Sequence, residues 1–330
     1  MELVTVDIGG THARFALAQV ADDGAITLSE PETLHTADHA SFQTAWEDFR
    51  ERMGGTLPRA VSMAIAGPVG GDVIRFTNNP WIIRPALVQE KLGVDRFTLV
   101  NDFAAVAHAV ASADSSQFLH LAGPDTPLAS EGTISVIGPG TGLGVAHLWR
   151  SAGGYRVQAT EGGHIDFAPL DSIEDAILAR LRKRHNRVSV ERVVAGPGIV
   201  DIYLALAAME GRAVAEPDAI DIWTRGTSGE DSLAAAAIDR FCLSLGSVAG
   251  DIALAQGGFA GVVIAGGLGY RIRDTLLASG FAQRFRAKGR FESLMAGIPV
   301  KLIVHPQPGL FGAAAAFAAE HGTGQTRSAA

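Results

Sequence analysis

Five short stretches carry residue types that can do chemistry: "VTVDIGGTHAR", "LVNDFAAVA", "IGPGTGLGVA", "EGGH" and "VVIAGGLG". In the first, Asp7 stands at the end of an apolar run, and Gly9, Gly10 and Thr11 follow almost at once. A lone carboxylate there faces either water or positive charge, and the glycines let a ligand approach the backbone. Peptide N–H groups in tight glycine turns form concavities for anions, to which serine or threonine hydroxyls add donors. Each glycine turn taken singly also suits a plain hairpin; it is their joint spacing that favours a ligand. None is a Walker loop, because no Gly-Lys-Ser/Thr follows and no lysine stands where it could cradle phosphate. Asn101 and Asp102 fall where an apolar strand runs straight into a helix, at the carboxyl end where ligands gather in open α/β sheets. Helix N-capping is the competing reading of Asp102. Glu161 and His164 set a carboxylate and an imidazole three residues apart around glycines, which by themselves also suit a loop or half of a metal site.

Those residues need elements to hold them. Residues 3–8 and 13–20 read as a β-hairpin across "GGTH", with a third strand over 26–33. Phe42, Ala45, Trp46 and Phe49 recur at helical spacing within 41–53, and Trp46 and Phe49 read as core. "RAVSMAIAGPV" is a buried strand, "DVIRFTNNPW" a strand and loop, and 85–91 a short helix. "TISVIGPGTGLGVAHLW" repeats the glycine-turn hairpin in the second half, which suggests two related α/β units. From 172 to 259 the pattern is helical, followed by buried strands at "GVVIAGGLG" and "PVKLIVH" and a last helix at "GLFGAAAAFAAEH". "GTGQTRSAA" reads as a frayed tail.

The totals bound the function. With 330 residues, 47% hydrophobic and 19% charged, the chain exceeds one simple core and is that of a folded globular protein. Net charge is −8, and the one dense basic run, Arg180 to His185, reads as a solvated helix face, so nucleic acid is not an expected partner. A single cysteine, Cys242, excludes an intramolecular disulfide and a cysteine-rich zinc cluster and fits a reducing compartment. No basic, apolar leader precedes "VTVDIGG", and no apolar stretch is expected to reach the ~20 residues that cross a bilayer. The expected location is therefore cytoplasmic, without membrane attachment.

The motifs together carry a resemblance. "DIGGTHAR" resembles the first phosphate motif of the sugar kinase, heat-shock chaperone and actin ATPase superfamily, "IGPGTGLGVA" its second phosphate motif and "VVIAGGLG" its adenosine motif. Within that superfamily "TNNPW", "LVNDFAAVA", "EGGHIDFAP", "VSVERVVAGPGI" and "PGLFGAAAA" resemble the bacterial glucokinases that lack a zinc-binding cysteine cluster. The likeness runs through nearly the whole chain in order. Two positions depart from the pattern: His12, where asparagine is usual, and Asn79, in a variable part of the "TNN" turn.

The resemblance implies an α/β protein with the two-domain, ribonuclease H-like fold of the actin-like ATPases. A small domain of residues 1–108 and 308–330 and a large domain of 109–307 would enclose a cleft. It implies ATP-dependent phosphorylation of D-glucose to glucose 6-phosphate, feeding glycolysis, with Mg²⁺ and a homodimeric assembly. Asp102 becomes the general base and Asp7 the carboxylate that holds hydrated Mg²⁺. Asn101, Asp102, Glu161, His164 and Glu191 become the sugar ligands, with Asn78 a weaker one whose turn-forming role competes. The nucleotide falls to Val6, Asp7, Ile8, Gly9, Gly10, Thr11, Thr141, Gly266 and Gly267. A kinase for another hexose or an amino sugar shares these motifs. So does a non-catalytic relative, either a nucleotide-dependent chaperone or a sugar-sensing repressor; the latter is disfavoured because no helix-turn-helix precedes the first strand.

Overall fold

The two apolar runs of the opening residues fold as an antiparallel pair, the almost wholly buried β1 (Glu2–Ile8) and β2 (His12–Val20), with Ile8 opposite Ala13 across the glycine turn. The computed structural model describes residues 1–76 and 79–322; Asn78 and the tail from 323 lie outside the described residues. The expected third strand is divided into β3 (Ile26–Leu28) and β4 (Glu32–His35), which both pair with β2. Pro31 lies between them, and a residue without an N–H cannot continue a ladder. Next come the fully buried β5 (Ala60–Ile65), the short pair β6 (Ile74–Arg75) and β7 (Ile82–Ile83), and β8 (Arg96–Asn101). The sheet order is β3-β2-β1-β5-β8, with β5 parallel to both β1 and β8.

This sheet belongs to the first of two compact units, Met1–Ala113 with the chain from His305 onward. One face, Val4, Val6, Ile8, Ala13 and Phe15, packs on Phe42, Trp46 and Phe49 of the helix Phe42–Arg52. Trp46 and Phe49, the aromatic residues read as core, are both buried, and Phe49 stacks on Phe15 with ring centroids 5.0 Å apart. Ser41 starts that helix through a reciprocal capping box with Thr44. On the opposite face Leu3, Ala18 and Ala60 meet Ala314 and Phe317 of the helix Pro308–His321. That helix crosses the helix Asp102–Ser112 so closely that a Cβ on Gly312 would lie 1.7 Å from the Ala105 carbonyl oxygen, and only glycine fits.

The second unit, Asp114–Val304, contains β9 (Phe118–Ala122), β10 (Gly132–Pro139), β11 (Leu143–Ser151), β12 (Gly154–Thr160), β13 (Gly261–Ile264) and β14 (Val300–Ile303). Its order, β12-β11-β10-β13-β14-β9, repeats the first sheet strand for strand as far as β14: an antiparallel meander, then two parallel neighbours. β9 is the addition, antiparallel to β14. Neither β9 nor β12 is anticipated from the sequence, because both lie at sheet edges and are only partly buried.

One helix corrects an expectation. Ser232–Gln256 has the length and apolar composition to cross a bilayer, yet Phe241, Leu245 and Ile252 along it are buried in the core of the second unit, so its apolar character is spent on packing. Glu174, fully buried, ties the helix Ser172–Arg182 to it by accepting from Ser244 Oγ at 3.0 Å. In the basic run, Arg180 and Arg184 pair with Asp201 while Arg182 and Lys183 face solvent.

Candidate active site

The first glycine turn is pinned from three sides. Gly9 N–H donates to the His12 carbonyl at 2.9 Å, Thr36 Oγ1 donates to the Gly10 carbonyl at 2.8 Å, and Asn79 Nδ2 donates to the Gly9 carbonyl at 3.3 Å. Asn79 is buried, and its own oxygen accepts from Trp81 N–H at 2.9 Å. Thr36 and Asn79 thus hold this turn, a role the sequence reading gives to neither; the signal for Asn79 is an asparagine two residues before a tryptophan, the Asx-turn spacing. Neither Gly9 nor Gly10 has positive φ, so local backbone strain does not explain them. The side chains of Val6 and Ile8 are fully buried and closed to any ligand.

Asp7 faces the same side of the sheet as its cross-strand partner Arg14, whose Nη1 lies 3.5 Å from Asp7 Oδ2. Burial pushes the Asp7 carboxyl up from its ordinary value, and the Arg14 guanidinium opposes that shift. The N-terminus of the helix Pro308–His321 adjoins the same carboxylate: a Cβ on Gly309 would stand 2.8 Å from Asp7 Oδ2. His12 is paired with His35 on β4, their ring centroids 4.5 Å apart.

At the end of β8 the structure separates two neighbours that the sequence leaves ambiguous. Asn101 is the helix cap: its Oδ1 accepts from Phe103 N–H and Ala104 N–H at 3.0 Å each, and its Nδ2 donates to the Gly67 carbonyl at 3.2 Å. Asp102 is the first helical residue, and its Oδ1 accepts from Phe103 N–H at 2.8 Å. Capping, the competing reading of Asp102, therefore belongs to Asn101.

In the second unit the turn between β10 and β11 closes through Gly140 N–H to the Gly142 carbonyl at 2.8 Å and leaves Thr141 exposed. Two further segments pack against its end at Gly142 and Leu143. The short helical turn Gly162–His164 lies directly on β11, where a Cβ on Gly163 would sit 2.2 Å from the Leu143 carbonyl oxygen. It presents Glu161 and His164, whose Oε2 and Nε2 are 3.7 Å apart and well exposed. The turn Val190–Arg192 presents Glu191 and is joined to the first segment by Val190 N–H to the Ile165 carbonyl at 2.9 Å. Thus Thr141, Glu161, His164 and Glu191 share one neighbourhood. The third glycine turn is close by: Gly266, at φ +91°, lies against the Pro139 carbonyl, while a Cβ on Gly267 would meet nothing within 4 Å.

The sequence matches the glucokinase family profile over residues 4–320. The chain belongs to the glucokinase family. It is 59% identical over 318 residues to a glucokinase of Zymomonas mobilis subsp. mobilis, covering 96% of this chain and 98% of that one. A crystal structure of glucokinase from an Antarctic psychrotroph superposes with a TM-score of 0.84 at 35% identity, covering 95% of this chain and 98% of that one. The fold extends further, to a glucokinase from Balamuthia mandrillaris in complex with glucose, with a TM-score of 0.73 at 21% identity and coverage of 95% and 92%. The protein is accordingly a hexose-phosphorylating sugar kinase with the two-domain actin-like ATPase fold.

Proposed function

We propose that the protein transfers the γ-phosphoryl group of ATP to the 6-hydroxyl of D-glucose, giving glucose 6-phosphate and ADP, with Asp102 taking the hydroxyl proton. The observation that carries this reading is the arrangement at the end of β8: Asn101 caps the helix, and Asp102 follows as its first residue at the carboxyl end of a parallel strand, where substrates gather in open α/β sheets. A positioned base is what a hydroxyl needs to attack phosphorus, since the rest of phosphoryl transfer is positioning and charge neutralisation.

Glu161, His164 and Glu191 supply acceptors and a donor for sugar hydroxyls, and Asn101 contributes its remaining amide capacity. The turns at 9–11 and 140–142 offer main-chain N–H groups and the hydroxyls of Thr11 and Thr141 to the phosphates, with Gly266 and Gly267 lying beneath the adenine. A hard carboxylate on a partly buried strand end suits Mg²⁺, and Asp7 would hold that ion through water. The described residues contain no group of three or more His, Cys, Asp or Glu able to cage a metal, so phosphate and water would provide its other oxygens. When bound, the ion neutralises charge on the phosphates. Arg14, beside Asp7, is a second cation at the same turn.

Residues 1–108 with 308–330, and 109–307, are the proposed small and large domains; a cytoplasmic homodimer serving glycolysis completes the proposal, the compartment resting on the lone buried thiol. The test is a coupled assay of ADP release across a sugar panel at fixed ATP. Glucose should give the highest kcat/KM. A higher value for mannose, fructose or an amino sugar would reassign the substrate, and no ADP release with any sugar would refute the kinase reading.

A further inference from the structure

Glu191 is expected to touch sugar, yet in the fold its carboxylate is already engaged on the phosphate side. Its Oε2 accepts from Leu143 N–H at 2.9 Å, and a Cβ on Gly142 would come within 2.6 Å of that oxygen. Leu143 is the residue at which the turn at 140–142 enters β11. The same segment braces the turn a second time, because Gly196 N–H donates to the Gly140 carbonyl at 2.7 Å, and Trp223 Nε1 in turn donates to the Gly196 carbonyl at 3.0 Å. From the opposite side Gly163, of the Glu161 to His164 segment, closes on the Leu143 carbonyl.

We propose that Glu191 is a positioning residue for the nucleotide as well as a sugar ligand: one carboxylate oxygen fixes the phosphate turn through Leu143 N–H and the other is left for a sugar hydroxyl. The inference rests on reading the turn at 140–142 as a phosphate site. A main-chain N–H held by a charged acceptor is fixed in direction, and its neighbours in a three-residue turn are fixed with it. Without that acceptor the turn samples orientations in which its N–H groups diverge, and a phosphate must then bear the ordering entropy. A residue acting on the sugar alone would leave nucleotide binding untouched when no sugar is present.

The experiment is calorimetric titration of the full chain with adenylyl imidodiphosphate and Mg²⁺ in the absence of sugar. Glu191→Ala and Glu191→Asp, which remove the carboxylate or withdraw it from Leu143, should each weaken binding about tenfold. Glu191→Gln should restore affinity to within about threefold of the parent, because its amide oxygen accepts the same N–H. Thr141→Ala serves as the control for the phosphate site itself. If Thr141→Ala weakens binding and both the Ala and Asp variants bind as the parent does, the positioning role is wrong and the phosphate site stands. If Thr141→Ala and the Glu191 variants all bind normally, the phosphate reading is wrong and this inference goes with it. A Gln variant as weak as Ala also overturns the hydrogen-bond basis.

Discussion

Replacing Asp102 with asparagine separates chemistry from architecture, because the structure assigns the helix cap to its neighbour. Both cap hydrogen bonds at the start of Asp102–Ser112 are accepted by Asn101 Oδ1, so Asp102→Asn leaves them intact. The hydrogen bond that Asp102 Oδ1 accepts from Phe103 N–H at 2.8 Å needs only an oxygen acceptor, which an asparagine amide retains. What folding loses is the favourable position of a negative charge in the first helical turn, about 0.3–1 kcal/mol. Turnover has more to lose. An amide cannot take the proton of an attacking hydroxyl, and removal of a positioned base lowers kcat by about 10²–10⁴, equivalent to roughly 2.7–5.4 kcal/mol of barrier. The two effects differ enough to be told apart in one preparation. ADP formation at saturating ATP and glucose should collapse, while the urea midpoint and calorimetric glucose binding should stay near those of the parent. The companion change Asn101→Ala should do the reverse to the fold, costing about 1 kcal/mol through the lost cap. An Asp102→Asn enzyme that turns over within about threefold of the parent refutes the assignment, since no base worth tenfold or more would then have been removed.

Three further substitutions test the adenine site, the sugar site and a buried histidine. Gly267→Val should fold normally, because a Cβ there meets nothing within 4 Å, yet raise KM for ATP far more than KM for glucose; equal changes in both would move the adenine elsewhere. Glu161→Gln keeps its size but loses a charged acceptor of about 1.5–3 kcal/mol, so calorimetry should find glucose bound roughly 10–150-fold more weakly, and unchanged affinity removes Glu161 from the site. Burial pulls the pKa of His108 down to about 4, whereas the unfolded chain takes the proton near 6.5. Stability from this group is therefore complete above about pH 6.5 and falls as pH drops toward 4, by about 3 kcal/mol over the whole window. Urea midpoints at several pH values should show that decline and His108→Gln should flatten it; an equal decline in the variant assigns the effect to other groups.

The residues that perform the proposed chemistry were legible because their signals are local. Asp7 with its glycines, Glu161 with His164, and Asn101 with Asp102 each lie within a few positions of one another, where turn geometry and strand-to-helix junctions leave a pattern in the sequence. Hairpins closed by glycine turns were legible for the same reason. β12 was not, since its alternating residues are at best half buried and little apolar contrast marks an edge strand.

The residues that hold the chemistry in place are a different matter. Asn79 reaches the Gly9 carbonyl across 70 positions, and Glu191 reaches Leu143 N–H across 48. A side chain that serves a distant backbone group obeys no local spacing, so in the sequence Asn79 looks like a variable turn residue and Glu191 like an exposed charge. Arg14 falls between the two cases. Once Ile8 and Ala13 are placed opposite each other at the glycine turn, antiparallel register puts Asp7 opposite Arg14 without further information. The ion pair was therefore implicit in the hairpin, and the partner of an isolated strand-end carboxylate can be found by counting outward from the turn.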